Sequence, residues 1–208
     1  MARTQTSICN LALARVGSNP TTNVTTDAAA GVKGPVECLA AWDEVVAEVA
    51  RSARWNCIKE RAVLTVDGTA PAFGWTYRYP LPADYARIVQ WNGTDIINDG
   101  ASEFFEIEGA WLLTDSTEAN IQYTSINAAY TVWDSLFVDC IVVLLASKIA
   151  VRLRNDDGLR QALQTEYERT TLPKARAKNG AERRKQLPDA AETGTSQFVQ
   201  ARRFSTRG

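Results

Sequence analysis

The stretch that decides the fold is RWNCIKERAVLTV, residues 54–66, followed by WTYRYPLPAD, residues 75–84. Before it, apolar residues recur every three or four positions, as in a helix, whereas within it they begin to alternate, as in a strand. We therefore expect a helical part to end here and a β part to begin. The rings that we assign to a structural junction between the two parts are those of Trp55, Trp75, Tyr77 and Tyr79.

Two helices are predicted before this stretch. The first runs from about Thr6 to Val16, with Thr6 or Ser7 as its cap and Gly17 as its end. Residues 18–33 are rich in Thr, Asn, Ala and Gly and are interpreted as a loop. The second helix begins near Pro35. Its apolar stripe, which with Trp55 is expected to lie in the core, consists of Leu39, Trp42, Val45, Val46 and Val49.

At least five short strands follow the junction. Strict alternation places Trp75, Tyr77 and Tyr79 on one face of a strand, with Thr76 and Arg78 on the other. The remaining β signals are the run 87–91 with the turn residues Asn92-Gly93, a hairpin around Gly109 and a last strand over 120–125. Together they predict a small antiparallel sheet or barrel.

Helices return in the last third of the chain. Residues 133–153 are apolar on nearly every side, which is typical of a central buried helix, and residues 155–158 interrupt it. A final helix opens near Gly158, and Pro173 is expected to kink or interrupt it. The residues that this final helix is predicted to turn inward are Leu159, Ala162, Leu163 and Tyr167.

These elements predict an α+β fold. A bundle of about four helices is formed by residues 1–59 and 132–180, and a small antiparallel β lobe, residues 60–131, is inserted between its halves. Residues 181–208 are expected to be an extended tail, because the apolar periodicity stops there.

Composition narrows the class of protein. The chain has 208 residues, 45% of them hydrophobic, and a net charge of −1, which predicts a soluble globular protein that is not a general nucleic-acid binder. The longest apolar run, residues 140–146, is too short for a membrane span, and the first residues lack the apolar core of a secretory signal.

Several kinds of chemistry have no support in the sequence. The chain contains no histidine, so Ser-His-Asp and Cys-His arrangements and His-ligated metal sites are excluded. The four cysteines, at positions 9, 38, 57 and 140, form no CxxC pair and are interpreted as buried thiols. Neither of the common glycine-rich phosphate loops occurs. We therefore assign no catalytic, cofactor-binding or metal-ligating residue.

The tail differs in charge from the rest of the chain. Residues 181–208 hold six basic and three acidic side chains, a net charge of +3, and a few apolar residues that a purely solvated tail does not need. We expect the tail to order against another chain. The residues assigned to this assembly interface are Arg183, Arg184, Lys185, Leu187, Phe198, Arg202, Arg203 and Phe204.

Two alternative functions stay open at this stage. One is a carboxylate-dependent hydrolase of polysaccharides, which would use Glu103, Glu106 and Glu108 beside several aromatic residues. The basic tail would suit a DNA-binding module.

Four segments, in this order and spacing, resemble one known family. They are TSICNLAL at 6–13 followed by Val16-Gly17, RWN at 54–56, YRYPLPAD at 77–84 and GAWLLTD at 109–115. Together with the late helices they resemble the tail tubular protein A family of podoviruses, the head-to-tail adaptor proteins, over nearly the whole chain up to about residue 180.

The resemblance implies a non-enzymatic virion protein at the head-tail junction, made in the host cytoplasm. Such adaptors assemble as a ring of about twelve copies, below the portal protein and above the nozzle or next tail protein. Genomic DNA passes through the ring without specific binding, and neither a membrane nor a cofactor is involved. The helices would build the ring and contact the portal, and the β lobe would meet other tail proteins.

Overall fold

The computed structural model describes residues 3–95 and 104–182, and over these the chain has the expected α+β fold. The helices are α1 (Gln5–Arg15), α2 (Val24–Ala29), α3 (Lys33–Ser52), α4 (Ser135–Arg154), α5 (Asp157–Glu166) and α6 (Leu172–Ala181). The strands are β1 (Lys59–Leu64), β2 (Tyr77–Pro80), β3 (Tyr85–Trp91), β4 (Thr94–Asp95), β5 (Glu106–Glu108), β6 (Trp111–Thr114) and β7 (Ala119–Ser125).

The start of the chain differs from the prediction at two points. Thr4, rather than Thr6 or Ser7, caps α1, because its side chain accepts a hydrogen bond from the Ser7 N–H while the Ser7 hydroxyl accepts from the Thr4 N–H. The predicted loop 18–33 contains the short helix α2, which Asn23 caps. Six residues with one buried side chain leave no apolar period, so the pattern did not reveal this helix.

The central helices meet as predicted. The stripe on α3 is buried except for the half-buried Leu39, and α4 is buried on nearly all sides. Aromatic rings connect the two helices: Trp42 stacks on Trp133 with 6.3 Å between ring centroids, and Trp55 meets Phe137 edge-on at 5.1 Å. The predicted core positions of Trp42 and Trp55 are thus confirmed.

The last helical stretch accommodates its proline through a wider turn. A π-helical segment, Tyr167–Thr171, lies between α5 and α6, so the Leu172 N–H donates to the carbonyl of Tyr167 five residues back. This spacing relieves the clash that the ring of Pro173 would make in a regular helix. One inward assignment was wrong: Ala162 is exposed, because the buried side of α5 is narrow and centres on Leu163.

The strands form two antiparallel sheets instead of one sheet or barrel. The larger has the order β1-β7-β3-β4 and the smaller the order β2-β6-β5. Side chains from both sheets share one apolar cluster, which includes Tyr79 and Leu112 from the smaller sheet and Ile121 and Tyr123 from the larger. The two sheets therefore face each other across a core of their own.

The predicted turns are present. Asn92 and Gly93 both have positive φ, 43° and 86°, as a tight two-residue hairpin turn between β3 and β4 requires. The predicted hairpin around Gly109 joins β5 to β6, with Glu108 opposite Trp111.

Two buried clusters correspond to the two parts of the fold. The helical cluster draws mainly on α1, α3 and α4, and the β cluster on strands between residues 77 and 123. The chain passes from the first to the second between α3 and β1, and returns between β7 and α4. Of the predicted tail, 181–208, only the first two residues are described, with Ala181 ending α6.

Candidate functional site

The connection between α3 and β1 is the junction predicted from the sequence, and Trp55 is its buried centre. Its side chain is 1% exposed, and its indole Nε1–H donates to the carbonyl of Val49 at 2.6 Å. This bond satisfies the one polar atom of the ring and fixes the chain as it leaves α3. Trp55 belongs to the helical core.

The neighbouring Asn56 ties the junction to the last helix. The Asn56 N–H donates to Oδ1 of Asn179 at 2.8 Å, and the Asn56 side-chain amide donates to the Asn179 carbonyl at 2.9 Å. The Asn179 side-chain amide donates to the Arg54 carbonyl at 2.8 Å. The end of α6 is thereby held against the junction, close to the point where the described chain ends.

The other predicted junction rings lie elsewhere. Tyr79 is buried in the core between the sheets, and the half-buried Tyr77 packs against the same core. The structure therefore does not bring these two rings together with Trp55 in one cluster. The prediction that Trp75 shares a strand face with Tyr77 and Tyr79 was wrong, since β2 begins only at Tyr77 and Trp75 lies in the loop before it.

Trp75 lines an open groove on the outer side of the smaller sheet. The groove has a volume of about 260 Å³. Its charged and aromatic lining residues are Phe73, Trp75, Arg78, Glu106, Glu108 and Trp111. The guanidinium of Arg78 lies 4.4 Å from the centre of the Trp111 ring, and Nε1 of Trp75 donates to Glu106 Oε2 at 3.1 Å. Both indoles are thus already engaged by neighbouring charged groups.

The carboxylates of the hydrolase alternative lie beside this groove. Glu106 and Glu108 share one face of β5, as the alternation predicted, and both are exposed to solvent. Glu103 lies outside the described residues. A glycosidase needs two carboxyl groups placed on either side of a bond, one of them in surroundings that keep it protonated. Two neighbouring carboxylates on an exposed strand give that chemistry little support.

Asp84, the last residue of the family-like segment 77–84, has a structural task. Its carboxylate accepts hydrogen bonds from the hydroxyls of Ser125 and Tyr123, at 2.5 and 3.3 Å, and its carbonyl accepts from the Ile126 N–H. These bonds join the start of β3 to the end of β7. Burial, followed by the charges of Asp84 and Glu60, raises the pKa of Tyr123, so this hydroxyl stays a hydrogen-bond donor.

Ion pairs join α3 to α4 along their exposed edges. Lys148 pairs with Glu44 at 3.0 Å and with Glu48 at 3.4 Å, and Arg152 pairs with Glu37 at 2.8 Å. The hydrogen bond with Glu44 raises the pKa of Lys148. The charged residues in these pairs therefore attach α3 to α4.

The prediction of buried thiols is confirmed for three of the four cysteines. Cys9, Cys38 and Cys140 are buried, Cys57 is half-buried, and all four are free. The hydrogen bond with Cys38, followed by burial, raises the pKa of Cys9, and burial raises the pKa of Cys140 to about 12. Within the described ranges no cluster of three or more His, Cys, Asp or Glu side chains is placed to hold a metal ion.

The predicted assembly interface, all eight residues from Arg183 to Phe204, lies outside the described residues. Exposed basic residues also occur before the predicted tail, where none was predicted. Arg169 lies in the π-helical segment, and Lys174 and Lys178 lie on α6. The signal was present, since residues 169–181 contain four basic residues and no acidic one.

No protein-family model matches this chain, and no curated protein matches it either. None of the helices in the described ranges combines the length and apolar character needed to cross a bilayer.

Proposed function

We propose that the chain is a structural virion protein, a head-to-tail adaptor that joins a portal to a phage tail and forms part of the channel through which DNA is ejected. The proposal rests on the resemblance of four segments to the tail tubular protein A family. The observation that supports it best is that residues in these segments join parts of the fold: Trp55 and Asn56 at the junction and Asp84 between β3 and β7.

The exposed apolar side chains agree with a protein that works in an assembly. Leu11 and Val32, in the helical part, are 53% and 51% exposed, and Val63 and Phe73, in the β part, are 80% and 88% exposed. Single apolar side chains of this kind are ordinary on a protein surface, and they become contact points where another chain covers them. The adaptor proposal assigns them to such contacts in both parts of the fold.

A ring imposes a further physical requirement. Each subunit must use two different surfaces, one for each neighbour, and the rotation between copies must close. A helical body with one large aromatic and aliphatic core, in which ion pairs also join α3 to α4, suits such repeated contacts. The β part, with its separate core, is then free to meet a different partner.

The adaptor proposal is tested by assembly. The full chain is purified and observed by electron microscopy and sedimentation, alone and mixed with the portal ring of the same virus. We expect a ring, or ring formation that depends on the portal. A protein that sediments as a monomer in both conditions overturns the proposal.

A parallel assay addresses the polysaccharide alternative. Under the adaptor proposal the wild-type protein releases no sugar from host surface glycans, and Glu106→Gln and Glu108→Gln assemble like the wild type. Glycan cleavage by the wild type that either substitution abolishes would favour the hydrolase instead.

A further inference from the structure

Charge is divided unevenly along this chain. Residues 1–168 hold 13 basic and 21 acidic side chains, a net charge of −8, whereas residues 169–208 hold ten basic and three acidic side chains, a net charge of +7. The change of sign falls at Arg169, inside the last helical stretch and well before the predicted tail. A folded part of the protein therefore carries the first basic residues of this region.

Three of these cations make no ion pair with any residue that the structure describes. Arg169, Lys174 and Lys178 are all exposed. By contrast, the guanidiniums of Arg15 and Arg160, and that of Arg152 on α4, form ion pairs at 2.7 to 2.8 Å. The nearest carboxylates in sequence are Glu168, beside Arg169, and Glu182, one helical turn after Lys178, and neither forms an ion pair with these cations among the described residues. Their charge is directed to solvent or to a ligand.

The helix that presents them is firmly attached. Ala175 is buried, Nη2 of Arg176 donates to the Ser52 carbonyl at 2.6 Å, and Asn179 makes its bonds to the junction. Lys174 and Lys178 are one helical turn apart, on the side of α6 that makes none of these contacts. The cations therefore stand on a fixed backbone, and ordering them on a ligand costs only the entropy of their side chains.

Their spacing matches a regular polyanion. Lys174 and Lys178 are about 6 Å apart along the helix axis. Phosphates two steps apart on one strand of duplex DNA are separated by about 7 Å along its axis. The sequence then continues the basic series with Arg183, Arg184 and Lys185. Glu182 is the one carboxylate between Lys178 and Arg183, and the series is otherwise cationic, so it suits an extended phosphate backbone better than the evenly mixed charges of a typical protein surface.

We propose that the exposed basic face of α6, formed by Lys174 and Lys178, binds the phosphate backbone of duplex DNA without reading its sequence. Residues 1–168, with their net charge of −8, repel the same polyanion, so within that part of the chain contact with DNA is disfavoured. The proposal goes beyond the structural role argued above, because it concerns the isolated protein and holds whether or not a ring forms.

The test measures binding of the full chain to a fluorescently labelled DNA duplex of arbitrary sequence, between about 50 and 200 mM salt. The variant is Lys174→Gln with Lys178→Gln. Each phosphate that is neutralised contributes about 0.9 to the slope of log affinity against log salt, so the double variant should lower that slope by about two. The control is Lys33→Gln with Arg61→Gln, which removes two exposed cations from the acidic part and should leave the slope unchanged.

The other outcomes each overturn the proposal. Wild-type protein that does not bind the duplex even at low salt ends it. Equal losses in the variant and the control reduce the effect to net charge. A third variant, with Arg183, Arg184 and Lys185 all changed to Gln, distinguishes helix from tail: if it abolishes binding while the α6 variant does not, the tail alone is responsible. Polyglutamate binding that the α6 variant loses while its DNA binding stays intact would instead identify an acidic protein partner.

Discussion

Asn179 in α6 and Asn56 after α3 hold each other through two hydrogen bonds, of 2.8 and 2.9 Å, although 123 residues separate them in the chain. Each bond pairs the side-chain amide group of one asparagine with a main-chain group of the other. A residue without a side-chain amide at either position would therefore lose one of the two bonds. Through this contact the end of the last helix and the beginning of the β part share one anchor. Glu182, the last residue that the structure describes, follows three positions after this anchor.

Replacing Asn179 tests how much this anchor stabilises the protein. Asn179→Ala removes the acceptor of the Asn56 N–H and the donor to the Arg54 carbonyl, which should lower the free energy of unfolding by about 2 to 3 kcal/mol. Urea unfolding followed by tryptophan fluorescence measures the change. Lys178→Ala, next in the chain and exposed, is the control and should change stability little. Equal stability of the two variants would show that the anchor is unimportant.

Trp55 and Trp75, the two tryptophans that the sequence analysis assigned to the junction, should differ sharply in their contribution to stability. Trp55→Ala opens a cavity in the helical core and should cost about 3 to 5 kcal/mol of unfolding free energy. Trp75→Ala removes a half-buried ring from an open groove and should cost about 1 kcal/mol or less. Chemical denaturation of both variants compares them directly. A larger loss at Trp75 would contradict the assignment of Trp55 alone to the core.

Tyr167 should make the protein sensitive to alkaline pH. Burial, followed by the charge of Cys140, raises its pKa from the ordinary value near 10 to about 12. The unfolded chain therefore loses this proton at lower pH than the folded chain, so stability falls as pH rises from about 10 to 12. Tyr167→Phe should make the fall in unfolding free energy less steep over that range. An unchanged slope in the variant would mean that Tyr167 does not contribute.

Thiol labelling should separate the half-buried cysteine from the buried ones. Burial raises the pKa of Cys140 to about 12 and also shields its sulfur, so in native protein near neutral pH it should react with a disulfide reagent only after unfolding. The half-buried Cys57 should account for any faster reaction, and Cys57→Ser should remove that phase. Cys140→Ser is the control, and loss of the fast phase in this variant instead would refute the assignment.

Much of the fold could be predicted from local sequence patterns. The apolar stripe of α3, the all-round apolar character of α4 and the Asn92-Gly93 turn were predictable because each depends on residues within a few positions of one another. The absence of histidine and the spacing of the cysteines likewise restrict the chemistry, because both are properties of the sequence alone.

Contacts between distant segments were beyond the reach of those patterns. The helix α2 has too few apolar residues for a period, and the groove position of Trp75 depends on where β2 starts to pair with β6. The bond between Asn56 and Asn179 leaves no mark in either local sequence, since polar residues at such positions are equally common on a free surface.

The stretch 54–84 by itself determined where helix gives way to strand, because hydrophobic period depends only on neighbouring residues. Only the tertiary structure decided that Trp55 belongs to one core and Tyr79 to another, since that depends on which distant elements surround each ring. The division of charge is likewise a property of the sequence. Packing decides which residues of α6 are exposed. Ala175 is buried and Asn179 bonds to the junction, so Lys174 and Lys178 are left on the side of the helix that faces solvent.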